Sequence, residues 1–275
     1  MMKAISSVVI GSVFATAWPL GAQPAEKMVD VGGYHLRMRI EGSGPSVVFM
    51  SGGFGGRFES WMPLASRLTD KAQVILYDRG GSGGSEPAPG LRDSKRIAQE
   101  LRDALQNAGL KGPYVIVGQS IGGIHARVFA HQYPQQVAGL VLIDPTAEDY
   151  DAELIRARGE NMRRETAAAD AAMAQDMKNA PVGFRLEYES LNADMQEARE
   201  AWPLPKVPIT VMTSLHPGAD LNHESPMIWL GLHQDLAKRA GAKHVITEKL
   251  GHNMQNEDPG FVAKEIQELV RSKKD

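Results

Sequence analysis

Two short segments of this chain carry residue types that can do covalent chemistry together: Gly118-Gln119-Ser120-Ile121-Gly122, and Gly251-His252-Asn253 about 130 residues further on. A serine hydroxyl is a weak nucleophile at neutral pH and needs a base within hydrogen-bond reach. Val115-Ile-Val leads into the first segment, and a helix-forming stretch, Ile124 to Gln132, follows it. A serine at the tip of such a strand-to-helix turn projects its Oγ from the edge of a sheet, and small flanking residues let the backbone make the turn. Of the eight histidines, His252 has the context of a base, since it sits at a glycine turn between the last strand pattern and the last helix pattern. His125 lies close to Ser120 in sequence but on the following helix, pointing elsewhere. His131 and His233 read as helix-surface residues. His216, Asp220 and His223 lie in a Pro/Gly loop without a recognised metal-ligand spacing. With no cysteine in the chain, a thiol nucleophile and a disulfide framework are excluded.

The elements that must position these residues alternate. Lys27–Val31 and Tyr34–Glu41 read as two strands joined at Gly32-Gly33, a short-turn hairpin signal. Val47–Met50 reads as a buried strand, and Phe58–Leu68 as an amphipathic helix with Trp61, Leu64, Ala65 and Leu68 at helical spacing. Strand Val74–Tyr77 and a helix marked by Ile97, Leu101, Ala104, Leu105 and Ala108 come next. Strand Val115–Val117, the helix to Gln132 and strand Val137–Ile143 complete this half. Such alternation implies a parallel sheet covered on both faces. After Asp144 it stops. From Thr146 to Trp202 the chain is rich in Ala, Glu, Arg and Met, with Leu154, Met162, Met173, Met177, Phe184 and Leu191 as the inward-facing set. Flexible methionines suit an adaptable apolar pocket. Core elements resume with Ile209–Met212, Met227–Ala240, Val245–Thr247 and Phe261–Val270.

Several motifs resemble those of the α/β-hydrolase fold superfamily, in its serine esterase and lipase-like branch, from about residue 27 onward. Pro45-Ser-Val-Val-Phe-Met-Ser51-Gly52-Gly53-Phe54-Gly55-Gly56 resembles the family's third strand and its oxyanion loop, with Ser51 where relatives usually carry histidine. Tyr77-Asp78-Arg79-Gly80-Gly81-Ser82-Gly83-Gly84-Ser85 resembles the turn after the fourth strand, and Leu140-Val-Leu-Ile-Asp144-Pro145 the end of the sixth. Gly251-His252-Asn253 with Glu257-Asp258-Pro259 resembles the histidine loop. The resemblance implies a mostly parallel, doubly wound sheet with a helical cap inserted after the sixth strand. It also implies a Ser-acid-His order and an oxyanion hole built from backbone N–H groups: Ile121 directly after the nucleophile, and Gly53, with Phe54 as the neighbouring choice. Two positions compete for the acid. Many relatives place it after the seventh strand, where Thr213-Ser-Leu-His-Pro-Gly-Ala-Asp220 delays any carboxylate by several residues. Asp144, at the end of the sixth strand, resembles the pancreatic-lipase arrangement, and catalytic groups of open parallel sheets sit at those carboxyl ends.

The resulting expectation is a serine hydrolase cleaving a carboxylic ester of small to medium acyl size through Ser120, His252 and Asp144, without metal or organic cofactor. The same fold also hosts peptidases, lactonases, cofactor-free haloperoxidases, C–C hydrolases and non-catalytic small-molecule-binding proteins. A chain of 275 residues can bury one sizeable core. Residues 26–145 and 203–275 read as that core, and 146–202 as the cap insertion. A net charge of -3 without a basic block gives no reason to expect nucleic acid as a partner, and the resemblance implies a small-molecule substrate. Lys3, the uncharged stretch Ala4–Ala17 and the small residues of Leu20-Gly-Ala22 read as an export signal over residues 1–25. The mature protein is then expected in a periplasm or outside the cell, with no integral membrane span once the signal is removed.

Overall fold

The computed structural model describes residues 25–216 and 225–271. Residues 1–24 of the stretch read as an export signal, Asp220 and His223 lie outside them.

Eight strands form one sheet: β1 (Ala25–Asp30), β2 (His35–Gly42), β3 (Ser46–Met50), β4 (Gln73–Tyr77), β5 (Tyr114–Gln119), β6 (Val137–Ile143), β7 (Ile209–Ser214) and β8 (Lys243–Thr247). Their spatial order is β1-β2-β4-β3-β5-β6-β7-β8. Only β2 runs against the rest, pairing antiparallel with both β1 and β4. The Gly32-Gly33 turn closes that first hairpin with φ of 99° and 104°, values open to glycine without a Cβ clash.

Side-chain alternation decides which face each strand residue serves. Val48, Met50, Ile75, Tyr77, Ile116, Leu140 and Leu142 join one apolar cluster, and their neighbours Val47, Phe49, Val74, Leu76, Val115, Val141 and Ile143 join the other. Both faces are therefore buried, as continuous apolar runs in a parallel sheet require. Helices α2 (Ser94–Asn107), α3 (Ile121–Gln132) and α8 (Pro226–Ala240) supply residues to the first cluster; α1 (Met62–Ala65) and α10 (Pro259–Arg271) supply the second. The Asp93 side chain caps α2 by accepting from the Arg96 N–H at 2.8 Å, and Ile97, Leu101, Ala104 and Leu105 form its buried stripe. Burying a side chain such as Leu101 contributes roughly 1.5–3 kcal/mol.

Four helices interrupt the alternation between β6 and β7: α4 (Tyr150–Arg158), α5 (Glu160–Met177), α6 (Val182–Glu189) and α7 (Leu191–Glu200). Leu154 and Met162 are buried there, but Met173 is 44% exposed, so the inward-facing set is smaller than the pattern predicts. α5 is polar over most of its surface, and Met173 stands on the solvent side. The pattern over Phe58–Leu68 also overstates its helix: a 3-10 turn (Phe58–Trp61) runs into the four-residue α1, and turns complete the segment. Trp61, Leu64, Ala65 and Leu68 are nonetheless all buried. Pro63 is tolerated because it falls in the first turn, where its missing N–H is not needed.

Candidate active site

Ser120 caps the N-terminus of α3 directly after β5 and has φ 55° and ψ -126°. A non-glycine residue in that region stores roughly 1–3 kcal/mol of strain and persists only where its surroundings fix it. Here they do. The Ser120 N–H donates to Ile143 O at 3.1 Å, and its carbonyl accepts from the N–H groups of Gly123 (2.8 Å) and Thr146 (3.0 Å). The flanking glycines answer to close packing: a Cβ on Gly118 would lie 2.3 Å from Gly122 O, and one on Gly122 would lie 2.2 Å from Met50 O. The turn thus presses against the end of β3, where the glycine loop begins.

Asp144 follows β6, and His252 follows β8, just before the short helix α9 (Met254–Glu257). The structure brings these two together: His252 Nδ1 lies 2.6 Å from Asp144 Oδ2. The other carboxylate oxygen, Oδ1, accepts from the Ser214 N–H and from Trp229 Nε1, each at 2.9 Å. Asp144 is fully buried and His252 is 5% exposed, so the pair sits in a medium of low polarisability. Sequence gave no hint of Trp229 or Ser214 as supports, because neither belongs to a motif around Asp144. Trp229 faces β7 on the same side of α8 as His233 and Ala237, four and eight residues on.

The loop Ser51–Gly56 lies between Ser120 and the inserted helices. Among the described residues, the N–H groups of Gly53, Phe54 and Ile121 have no protein acceptor, which leaves them available to an incoming oxyanion. Ser51 fills the place of the usual histidine by accepting from Trp61 Nε1 (2.8 Å) and donating to Arg57 O (3.1 Å). Gln119, unremarkable inside the pentapeptide, ties two loops together. It donates to His252 O at 3.2 Å, and its side chain leaves room only for glycine at position 52. A cavity of about 360 Å³ opens here, lined by Gly52, Ser60, Gln119, Ser120, His252 and Asn253 among others, with no Asp, Glu, Lys or Arg on its walls. A larger hollow of about 460 Å³, bordered by Arg127, Trp202 and Arg239, shares none of these residues.

The other histidines fall elsewhere. His125 is buried with Nδ1 at 2.7 Å from Ser94 Oγ, and desolvation pushes its pKa well below the usual imidazole range. His131 is exposed. His233 is not the surface residue that its helix suggests: it is fully buried, with Nδ1 at 2.8 Å from Thr213 Oγ1 and Nε2 at 2.8 Å from Pro145 O. Two well-placed partners offset its burial, and neither is visible from the sequence around it. Among the described residues no group of three or more His, Asp or Glu side chains could hold a metal ion.

Comparisons with known proteins agree with this fold. The sequence model of the alpha/beta hydrolase fold family matches residues 45–187. The chain is 31% identical to the uncharacterized protein YqjL of Bacillus subtilis over 121 residues, 44% of this chain and 47% of that one. It is 28% identical to the 2-(acetamidomethylene)succinate hydrolase of Mesorhizobium japonicum over 170 residues, 60% of each. The chain thus spans about half the length of the curated relatives it matches. Among solved structures, the carboxylesterase CesB of Bacillus subtilis superposes with a TM-score of 0.61 at 19% identity, covering 92% of this chain and 93% of that one. With the strand order, the strained turn at Ser120 and the family match in agreement, the chain belongs to the alpha/beta hydrolase fold family.

Proposed function

We propose that this protein is a serine hydrolase that cleaves a carboxylic ester of small to medium acyl size. Ser120 Oγ attacks the acyl carbon while His252 takes its proton, and Asp144 holds the imidazole in the tautomer whose Nε2 is the accepting nitrogen. His252 then protonates the leaving alcohol, and water resolves the acyl-enzyme by the same route. The N–H groups of Ile121 and of Gly53 or Phe54 stabilise the oxyanion at each tetrahedral stage. The observation that carries this reading is the buried 2.6 Å contact between Asp144 and His252, next to a serine held at positive φ. The absence of Asp, Glu, Lys and Arg from the walls of the cavity beside Ser120 favours a neutral group around the scissile bond.

The test is labelling with a fluorophosphonate probe together with turnover of a p-nitrophenyl acyl series. Labelling at Ser120 with turnover of short and medium esters supports the reading; an unlabelled protein with negligible turnover, as a binding protein on this fold would give, overturns it. The amino-terminal pattern around Lys3 and Ala4–Ala17 supports export, so the enzyme would act in a periplasm or outside the cell. No helix among the described residues is long and apolar enough to cross a membrane.

A further inference from the structure

Arg79, in the turn after β4, and Glu187, on the inserted helix α6, form a buried ion pair, 1% and 3% exposed. Arg79 Nε donates to Glu187 Oε1 at 2.9 Å, and Nη2 donates to Oε2 at 2.8 Å. The pair grips the glycine loop from both ends. Arg79 Nη1 donates to Ser51 O at 2.5 Å, Nη2 also donates to Gly53 O, and Glu187 Oε2 accepts from the Gly55 N–H at 2.6 Å. In a trans peptide the N–H points opposite the C=O. Anchoring the Ser51 and Gly53 carbonyls therefore sets the Gly52 and Phe54 N–H directions, with the Gly52–Gly53 peptide held between two fixed planes.

The rest of α6 is fitted to the same loops. A Cβ on Gly55 would lie 2.0 Å from the Phe184 ring, one on Gly183 would lie 2.4 Å from Gly81 O, and Phe54 meets Tyr188 edge-on at 5.6 Å. Gly56 in turn leaves the space that the Arg79 guanidinium fills.

We propose that Arg79 and Glu187 are positioning residues for the oxyanion donors, so that the inserted helix α6 tunes transition-state stabilisation without touching substrate. This rests on the serine-hydrolase reading of Ser120 and His252. Glu187→Gln keeps the shape and one acceptor but removes the charge that holds Arg79 in place. Misaimed donors weaken the transition state more than the ground state. The expected result, per active site counted by burst titration, is a kcat reduced about 10- to 100-fold with KM for a p-nitrophenyl ester within about twofold. Affinity for an alkyl boronic acid, which binds serine as a tetrahedral adduct, should fall in step with kcat. Glu187→Asp should recover part of both.

If Glu187→Gln yields too little folded protein, the Arg79→Met/Glu187→Leu double variant leaves no buried charge unpaired. It should show the same loss of kcat and of boronate affinity. Unchanged kcat per titrated site, or a KM increase without loss of boronate affinity, would overturn the proposal while leaving Ser120 as the nucleophile. A wild-type protein that neither turns over esters nor takes the probe would overturn both.

Discussion

Asp144 and His252 stand 108 residues apart in sequence and meet through one 2.6 Å contact, with both carboxylate oxygens engaged. An acid held on one side by an imidazole and on the other by a backbone N–H and an indole N–H has little freedom to turn. That rigidity suits the role of base proposed for His252.

Ser120→Ala should leave the fold intact and abolish both turnover and probe labelling. Its hydroxyl lies at an accessible turn, so melting temperature should change little. Retention of more than about a thousandth of wild-type kcat/KM would remove Ser120 as the nucleophile.

Asp144→Asn should reduce kcat by about 10⁴, because an amide cannot stabilise the imidazolium and favours the wrong tautomer. Trp229→Phe should cost far less, since it removes one hydrogen bond to a carboxylate that keeps two others, an effect of roughly 1.5–3 kcal/mol. Steady-state kinetics on both variants, with Asp220→Asn as the comparison, reads the order directly. A larger loss from Asp220→Asn than from Asp144→Asn would move the acid to the loop after β7.

The motif-bearing segments of this site were legible in the sequence because chemistry at a sheet edge demands local punctuation. The glycines around Ser120, the proline after Asp144 and the glycine before His252 are all short-range signals. Contacts made across the fold leave no such trace. Nothing near Glu187 marks it as the partner of Arg79, and nothing in α8 separates His233, which is buried on Pro145 O, from an exposed helix residue. Periodicity failed where burial is provided by turns instead of a continuous helix, as over Phe58–Leu68. It also misplaced Met173, an apolar side chain in an otherwise polar helix. The parallel core strands and helices such as α2 and α10 were legible because their apolar periods run uninterrupted, and the hairpin because Gly32-Gly33 marks its turn.

Gly122→Ala should be poorly tolerated, because its Cβ would sit 2.2 Å from Met50 O and 2.7 Å from Ser51 O. Both obstacles are backbone, so the strand and the nucleophile turn must separate. The expected loss is about 1–3 kcal/mol or more, read as a lowered midpoint in chemical denaturation. An unchanged midpoint would mean that the turn and β3 do not pack as closely as described.

Asp194, on α7, accepts from Ser94 Oγ at 2.7 Å, and burial pushes its pKa up to about 7. In the unfolded chain the carboxyl ionises in the ordinary range near 3.9. Between those two values the folded state binds the extra proton, so this group's stabilisation is full below about pH 4 and is lost as pH rises to about 7. Asp194→Asn cannot ionise and keeps an acceptor for Ser94. It should raise the melting temperature at pH 8 relative to wild type by about 2–4 °C for each kcal/mol regained, and by much less at pH 4. Equal shifts at both pH values would show that Asp194 does not titrate in this window.

Mass spectrometry of protein taken from its native host should find an amino terminus between Gln23 and Met28, as removal of the Ala4–Ala17 segment requires. An intact Met1 in the soluble cytoplasmic fraction would exclude export.

The strand order has a consequence for how activity is lost. Ser120 and Asp144 stand at the ends of β5 and β6 inside the sheet, whereas His252 is carried by the chain leaving β8, an edge strand with exposed or half-buried residues throughout. Edge strands exchange their amide hydrogens through small openings that leave the central strands closed. His252 therefore shares the easier local opening of an edge strand, while Ser120 and Asp144 share the slower opening of the sheet centre. Mild denaturant should silence the protein reversibly, ahead of any change in its far-UV signal, by detaching one residue from two that have not moved.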